Sequence, residues 1–133
     1  MNTLLETQLK RAKVAARLLK NMPTCTKNQA LEKIADALIA RSDEILEANK
    51  KDMAHAKEVN MTKAMQDRLL FTHERIVGVS DGVKKVATLP DPIGEVMESW
   101  TRPNGLEISK VRVPIGVFGI IYEARPNVTV DIA

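Results

Sequence analysis

Over the first 89 residues the hydrophobic positions repeat at helical spacing. Leu5, Leu9, Ala12, Ala15 or Ala16 and Leu19 form one stripe, with Lys10, Arg11, Lys13 and Arg17 largely between them, which predicts an amphipathic helix from Leu4 to Leu19. Met22-Pro23 ends it, because a residue before proline is pushed out of the α region. Thr26 and Gln29 have the spacing of a capping box for a second helix, whose buried stripe is Leu31, Ile34, Ala35, Leu38 and Ile39. Ser42-Asp43-Glu44 reads as a fresh N-cap with acids in the first turn, opening a third helix to about Lys57. Weaker helical signals cover Thr62 to Leu70. Thr72 then caps a stretch in which Ile76, Val79, Val83 and Val86 share a face.

At Leu89-Pro90-Asp91-Pro92 the period changes. "VMESWTR", "PNG" and "LEISKVRV" read as a hairpin, with Asn104-Gly105 tolerating the positive φ of a tight reversal. Leu106, Ile108, Lys110 and Arg112 share one face of its second strand and Glu107, Ser109, Val111 and Val113 the other, so both faces are mixed. Such a hairpin is marginal alone and wants a partner. Val117, Phe118, Ile120 and Ile121 follow with almost no alternation, the pattern of a strand covered on both faces, as in parallel sheets. Parallel neighbours arrive through crossover helices. The expected fold class is therefore α/β: an N-terminal helical segment, a hairpin, and the first strand of a doubly wound sheet whose other strands lie outside this chain.

Composition narrows the function classes. The 133 residues are 44% hydrophobic but only 3% aromatic, so the core is aliphatic. A net charge of +3 spread among acids describes solvated helix faces rather than a nucleic-acid footprint. The one cysteine, Cys25, excludes an internal disulfide and suits a reducing compartment, so a cytoplasmic home is expected. The basic amphipathic start has the look of an organellar presequence, but it carries Glu6 and leads into further helix, which favours a structural role. No apolar run approaches the roughly 20 residues of a membrane helix.

Candidate chemistry gathers at Tyr122-Glu123-Ala124-Arg125-Pro126-Asn127, at the carboxyl end of the expected strand, where open α/β sheets bind ligands. Arg125, held extended by Pro126, can project towards an anion. Asn127 has two readings: a helix N-cap, or an amide donor that stabilises negative charge. Gly116 and Gly119 do not make a dinucleotide fingerprint and read as places of close approach. Cys25 sits in an expected inter-helix connection with no histidine nearby, which is poor ground for a nucleophile. His55 and His73 lack metal-ligand spacing, so no metal site is expected. Trp100 and Tyr122 read as packing residues.

The string "VPIGVFGIIYEARPNVTVD", with "NKKDMAHAKE", "DRLLFTHERI" and "LPDPIGEV" before it, resembles the γ-glutamyl phosphate reductases, also called glutamate-5-semialdehyde dehydrogenases, of proline biosynthesis. They belong to the aldehyde dehydrogenase superfamily. The resemblance covers about the first third of a family member. It implies that residues 1–92 are the helical part of a cofactor-binding domain, 93–113 an oligomerisation arm, and 114–133 the first Rossmann-like strand, its catalytic loop and a helix start. It implies NADPH as cofactor, γ-glutamyl phosphate as substrate, and a homo-oligomer. Asn127 becomes the oxyanion donor and the backbone of Tyr122, Glu123 and Ala124 the wall of the cofactor cleft. For Arg125 it is the placement in the loop, not the resemblance, from which a contact to the substrate's phosphate or carboxylate is expected. The family's nucleophilic cysteine lies downstream and Cys25 does not match it, so the chain alone is expected to be inactive. The competing expectation is a non-catalytic module that pairs with another chain through its hairpin.

Overall fold

A computed structural model describes residues 3–133. In chain order the elements are α1 (Thr3–Leu19), α2 (Thr24–Ala40), α3 (Ser42–Glu58), α4 (Lys63–Leu69), α5 (His73–Ala87), β1 (Val96–Thr101), β2 (Glu107–Val111) and α6 (Val128–Asp131). Two compact units result. One holds α1 and Pro90–Gly119; the other holds Cys25–Leu89 with Ile120–Ala133.

The helices begin and end for local reasons. Thr72 accepts from the N–H of Arg75 at 3.2 Å, the cap expected for α5. Thr62 does the same for α4 through the N–H of Met65. Beyond α3, Asn60 takes a positive φ of 54°. The N–H of Met61 donates to the Ala56 carbonyl at 2.9 Å and that of Asn60 to Lys57 at 3.1 Å, so a Schellman motif closes the helix. Two expected starts move. α2 begins at Thr24, directly after Pro23, whose fixed φ is already helical. Thr26 and Gln29 therefore lie inside the helix, and Cys25 is an exposed residue of its first turn rather than part of a connection. A single residue, Arg41, joins α2 to α3, so Arg41 takes the capping position and Ser42 is a buried first helical residue. Arg41 donates to Glu44 at 2.7 Å; that hydrogen bond, then the charge beside it, holds the Glu44 carboxyl below its ordinary range.

The helical unit has a small core: Ala35, Ala56, Phe71, Ile76 and Ala87 are buried. Two polar side chains are buried with them, each satisfied. Ser80 donates to the carbonyl of Ala35 at 3.0 Å, fixing α5 to α2. Asn49 donates to the Leu69 carbonyl and accepts from the Phe71 N–H, both at 2.8 Å, so α3 clamps the turn between α4 and α5. The rest of the expected α2 stripe is less covered: Leu31 and Leu38 are half-buried, and Ile34 and Ile39 are exposed.

In the other unit β1 and β2 form a two-stranded antiparallel sheet, with Trp100 opposite Ile108 and Glu98 opposite Lys110, and a bulge between Val96 and Glu98. Only Gly105 takes the positive φ in the reversal, at 85°. The N–H of Gly105 donates to Arg102 at 2.8 Å and that of Arg102 to Leu106 at 2.9 Å, a type I turn closed by a bulged glycine with Pro103 and Asn104 as its central residues. The faces are mixed as expected, and every strand residue except the half-buried Ile108 is exposed.

The apolar stretch after the hairpin departs from expectation. Val113–Ala124 makes no backbone–backbone hydrogen bond among the described residues, and no strand forms there. A strand is defined by its neighbour, and the described residues offer none. Ile115 and Ile121 stand open to solvent. Gly116 and Gly119 meet nothing within 4 Å of where a Cβ would stand, so close approach does not explain them; Gly116 instead has a φ of +106°.

Candidate active-site groove

The loop Tyr122–Asn127 belongs to the helical unit, and α6 after it lies against α5. Ala124 carries a positive φ of 53°, uncommon for a residue with a Cβ. The turn that follows is closed by the N–H of Val128 donating to the Arg125 carbonyl at 3.1 Å. The Tyr122 hydroxyl shares a 2.6 Å hydrogen bond with that of Thr129, tying the start of the loop to α6. Tyr122 is thus a polar tether, not the packing residue expected.

Asn127 occupies the capping position of α6, but its side chain makes no cap hydrogen bond. Its Nδ2 donates to Asp131 Oδ2 at 2.8 Å. A carboxylate only accepts, so this contact fixes which end of the amide is the donor. One of the two Nδ2 hydrogens is spent on Asp131, and among the described residues the other has no acceptor. Because α6 is a single turn, its dipole adds little.

Beside this loop runs an open groove of about 720 Å³, within the size range of small-molecule sites. Gly78, Val79, Gly82, Val83 and Val86 of α5 supply its apolar wall, and Arg125, Asn127 and Asp131 its polar edge. The two glycines lie four apart on one helical face and leave the space that side chains would fill. Arg68 and Arg75 also line it. Arg75 is committed: it donates at 2.6 Å to the carbonyls of Asp67 and Leu70 and pairs with the Asp67 carboxylate at 3.1 Å, closing the carboxyl end of α4. Arg68, Asp131 and Thr129 were not singled out by sequence reasoning. The Asn127–Asp131 spacing of four was visible, but its meaning depended on a helix only one turn long.

Among the described residues the backbone of Tyr122, Glu123 and Ala124 makes no backbone–backbone hydrogen bond. Cys25 is exposed on α2 and takes no part in the groove. Among the described residues no cluster of His, Cys, Asp or Glu could hold a metal ion, and no helix is long and apolar enough to cross a membrane.

No family profile matches the chain. Individual proteins do. A γ-glutamyl phosphate reductase of Desulforamulus reducens is 55% identical over 122 residues, 92% of this chain and 29% of the relative. One from Moorella thermoacetica is 53% identical over 100% of this chain and 32% of its own length. Over nearly its whole length the chain is thus similar to a segment of γ-glutamyl phosphate reductases. It spans about a third of the length of the curated relatives it matches, 29% and 32% for these two. The crystal structure of the Thermotoga maritima γ-glutamyl phosphate reductase superimposes with a TM-score of 0.91 at 45% identity, covering 96% of this chain and 31% of that one. The Saccharomyces cerevisiae reductase gives 0.87 at 38% identity over 92% of this chain. The helices and two-stranded sheet thus match the fold of reductases over the same segment.

Proposed function

We propose that this chain supplies the oxyanion donor, part of the cofactor wall and an assembly arm of an NADPH-dependent γ-glutamyl phosphate reductase of proline biosynthesis. The observation that carries the reading is the 55% identity over 122 residues with a protein of that name. The geometry is consistent with it, because Asn127 and Arg125 edge one groove of substrate size.

In this reading a cysteine thiolate from outside the chain attacks the acyl carbon of γ-glutamyl phosphate. The free Nδ2 hydrogen of Asn127 donates to the oxygen that becomes negative as the carbon turns tetrahedral. Collapse expels phosphate and leaves a thioester, which splits one difficult step into two easier ones. When bound, a nicotinamide would supply the hydride that takes the thioester to the aldehyde level, with the thiolate then released alongside L-glutamate 5-semialdehyde. Arg125 faces the anionic substrate. Tyr122, Glu123 and Ala124 present their backbone to the cofactor, at the end of a segment, 114–121, that pairs as the first Rossmann-like strand once parallel neighbours are present. Residues 1–92 then serve the cofactor-binding domain. The 93–113 hairpin, with Trp100 and Val111 exposed, joins a second copy of the protein. A cytoplasmic enzyme fits the lone thiol of Cys25.

The test is genetic. A chimera in which this chain replaces the matching third of the Desulforamulus relative should restore growth without proline to a bacterium lacking its own reductase. Failure of a well-expressed chimera to do so would contradict the reading.

A further inference from the structure

Three arginines line the groove, and they are not equivalent. Arg75 is used up by α4, as its bonds to Asp67 and Leu70 show. Arg68 and Arg125 make no side-chain hydrogen bond or ion pair among the described residues. For Arg68 the ordinary structural explanation is already taken. A cation on the last turn of a helix usually serves that helix's terminal carbonyls, but at the end of α4 Arg75 does so from another element. Arg68 is left as an exposed guanidinium on the groove with no structural duty.

The substrate of the reading above carries two anionic groups at its two ends, an acyl phosphate and an α-carboxylate. Arg125 stands two residues from Asn127, so their Cα atoms lie within about 7.6 Å of each other. The phosphate is joined through its bridging oxygen to the carbon that Asn127 addresses, so Arg125 is the arginine placed to meet it. The other end of the molecule needs a separate cation on a separate element. A guanidinium is suited to it, because its planar fork meets a carboxylate with two parallel hydrogen bonds.

We infer that Arg68 is a specificity-determining residue of this groove, binding the α-carboxylate of the substrate while Arg125 binds its phosphoryl end. The inference rests on the reductase reading and assigns the polarity of the substrate within it.

Running the reaction backwards separates the two anions. L-Glutamate 5-semialdehyde, inorganic phosphate and NADP+ combine to give γ-glutamyl phosphate, NADPH and a proton, so carboxylate and phosphate enter on different molecules with different KM values. In the chimera, Arg68→Ala should raise KM for the semialdehyde by about 10–100-fold and KM for phosphate by less than about threefold. Arg68→Lys, which keeps the charge without the fork, should fall between. Arg125→Ala should show the opposite pattern. Partial unfolding lowers the concentration of active enzyme without selecting one KM, so the split reads binding rather than folding. An unchanged semialdehyde KM in Arg68→Ala, or a rise confined to the phosphate KM, would overturn the inference. A folded chimera with no phosphate-dependent oxidation would instead overturn the reductase reading beneath it.

Discussion

The side-chain amide of Asn127 donates to the carboxylate of Asp131 across one turn of α6, at 2.8 Å. The contact holds Nδ2 in place and leaves its second hydrogen without an acceptor among the described residues. If that hydrogen meets the developing oxyanion, Asn127→Ala in the chimera should lower kcat by roughly 10²–10³. Asp131→Asn, which can still accept through its own carbonyl oxygen, should retain more activity than Asp131→Ala. Steady-state rates of the three variants check both points; equal rates for Asn127→Ala and the parent chimera would remove Asn127 from the mechanism.

The groove is tested through its glycines. Gly82 meets nothing within 4 Å at its would-be Cβ and lies inside α5. Gly82→Ala should therefore stabilise the helix by about 0.5–1 kcal/mol, read as a higher thermal midpoint. Gly82→Leu places bulk in the groove, and if the substrate uses this wall KM should rise. A Leu variant with the parent's KM would show that the substrate does not use this wall.

Asn49 supports the site from behind. Asn49→Ala leaves the buried N–H of Phe71 without its acceptor and should cost about 1–3 kcal/mol, seen as a lower urea midpoint with an unchanged slope. Asn49→Asp keeps the acceptor but sets a carboxylate against the Leu69 carbonyl, so it should not restore the loss.

The hairpin carries the assembly claim. Ile108, opposite Trp100, is the half-buried residue of β2. Ile108→Asp should shift the chimera to a lower oligomeric mass by sedimentation while leaving the monomer folded. A mass equal to the parent's would place the interface elsewhere.

How much of this was legible in the sequence depended on whether the deciding partner was local. The Thr72 cap is set within one helix and read correctly; of the expected α5 stripe Ile76 is fully buried, Val79 and Val83 are half-buried and Val86 is exposed. The hairpin was equally visible, though Pro103 and Asn104 turned out to be the turn's centre and Gly105 alone its left-handed residue. The start of α2 was misplaced because the spacing of Thr26 and Gln29 outweighed the stronger signal of Pro23. The groove was hidden for a different reason. Gly78 and Gly82 look like weak points in a helix until they are seen to line the open groove. Arg68 looks like any solvated charge until Arg75 is seen to hold the carbonyls beside it. Val113–Ala124 is the opposite case, an apolar pattern plain in sequence whose strand does not form without hydrogen-bonding neighbours.

The most direct measurement is the rate at which the purified chimera, this chain in place of the matching third of the Desulforamulus relative, reduces NADP+ with L-glutamate 5-semialdehyde, with and without phosphate. The account predicts a phosphate-dependent rate within about tenfold of the parent enzyme. A chimera with the parent's thermal midpoint and no phosphate-dependent rate would contradict it.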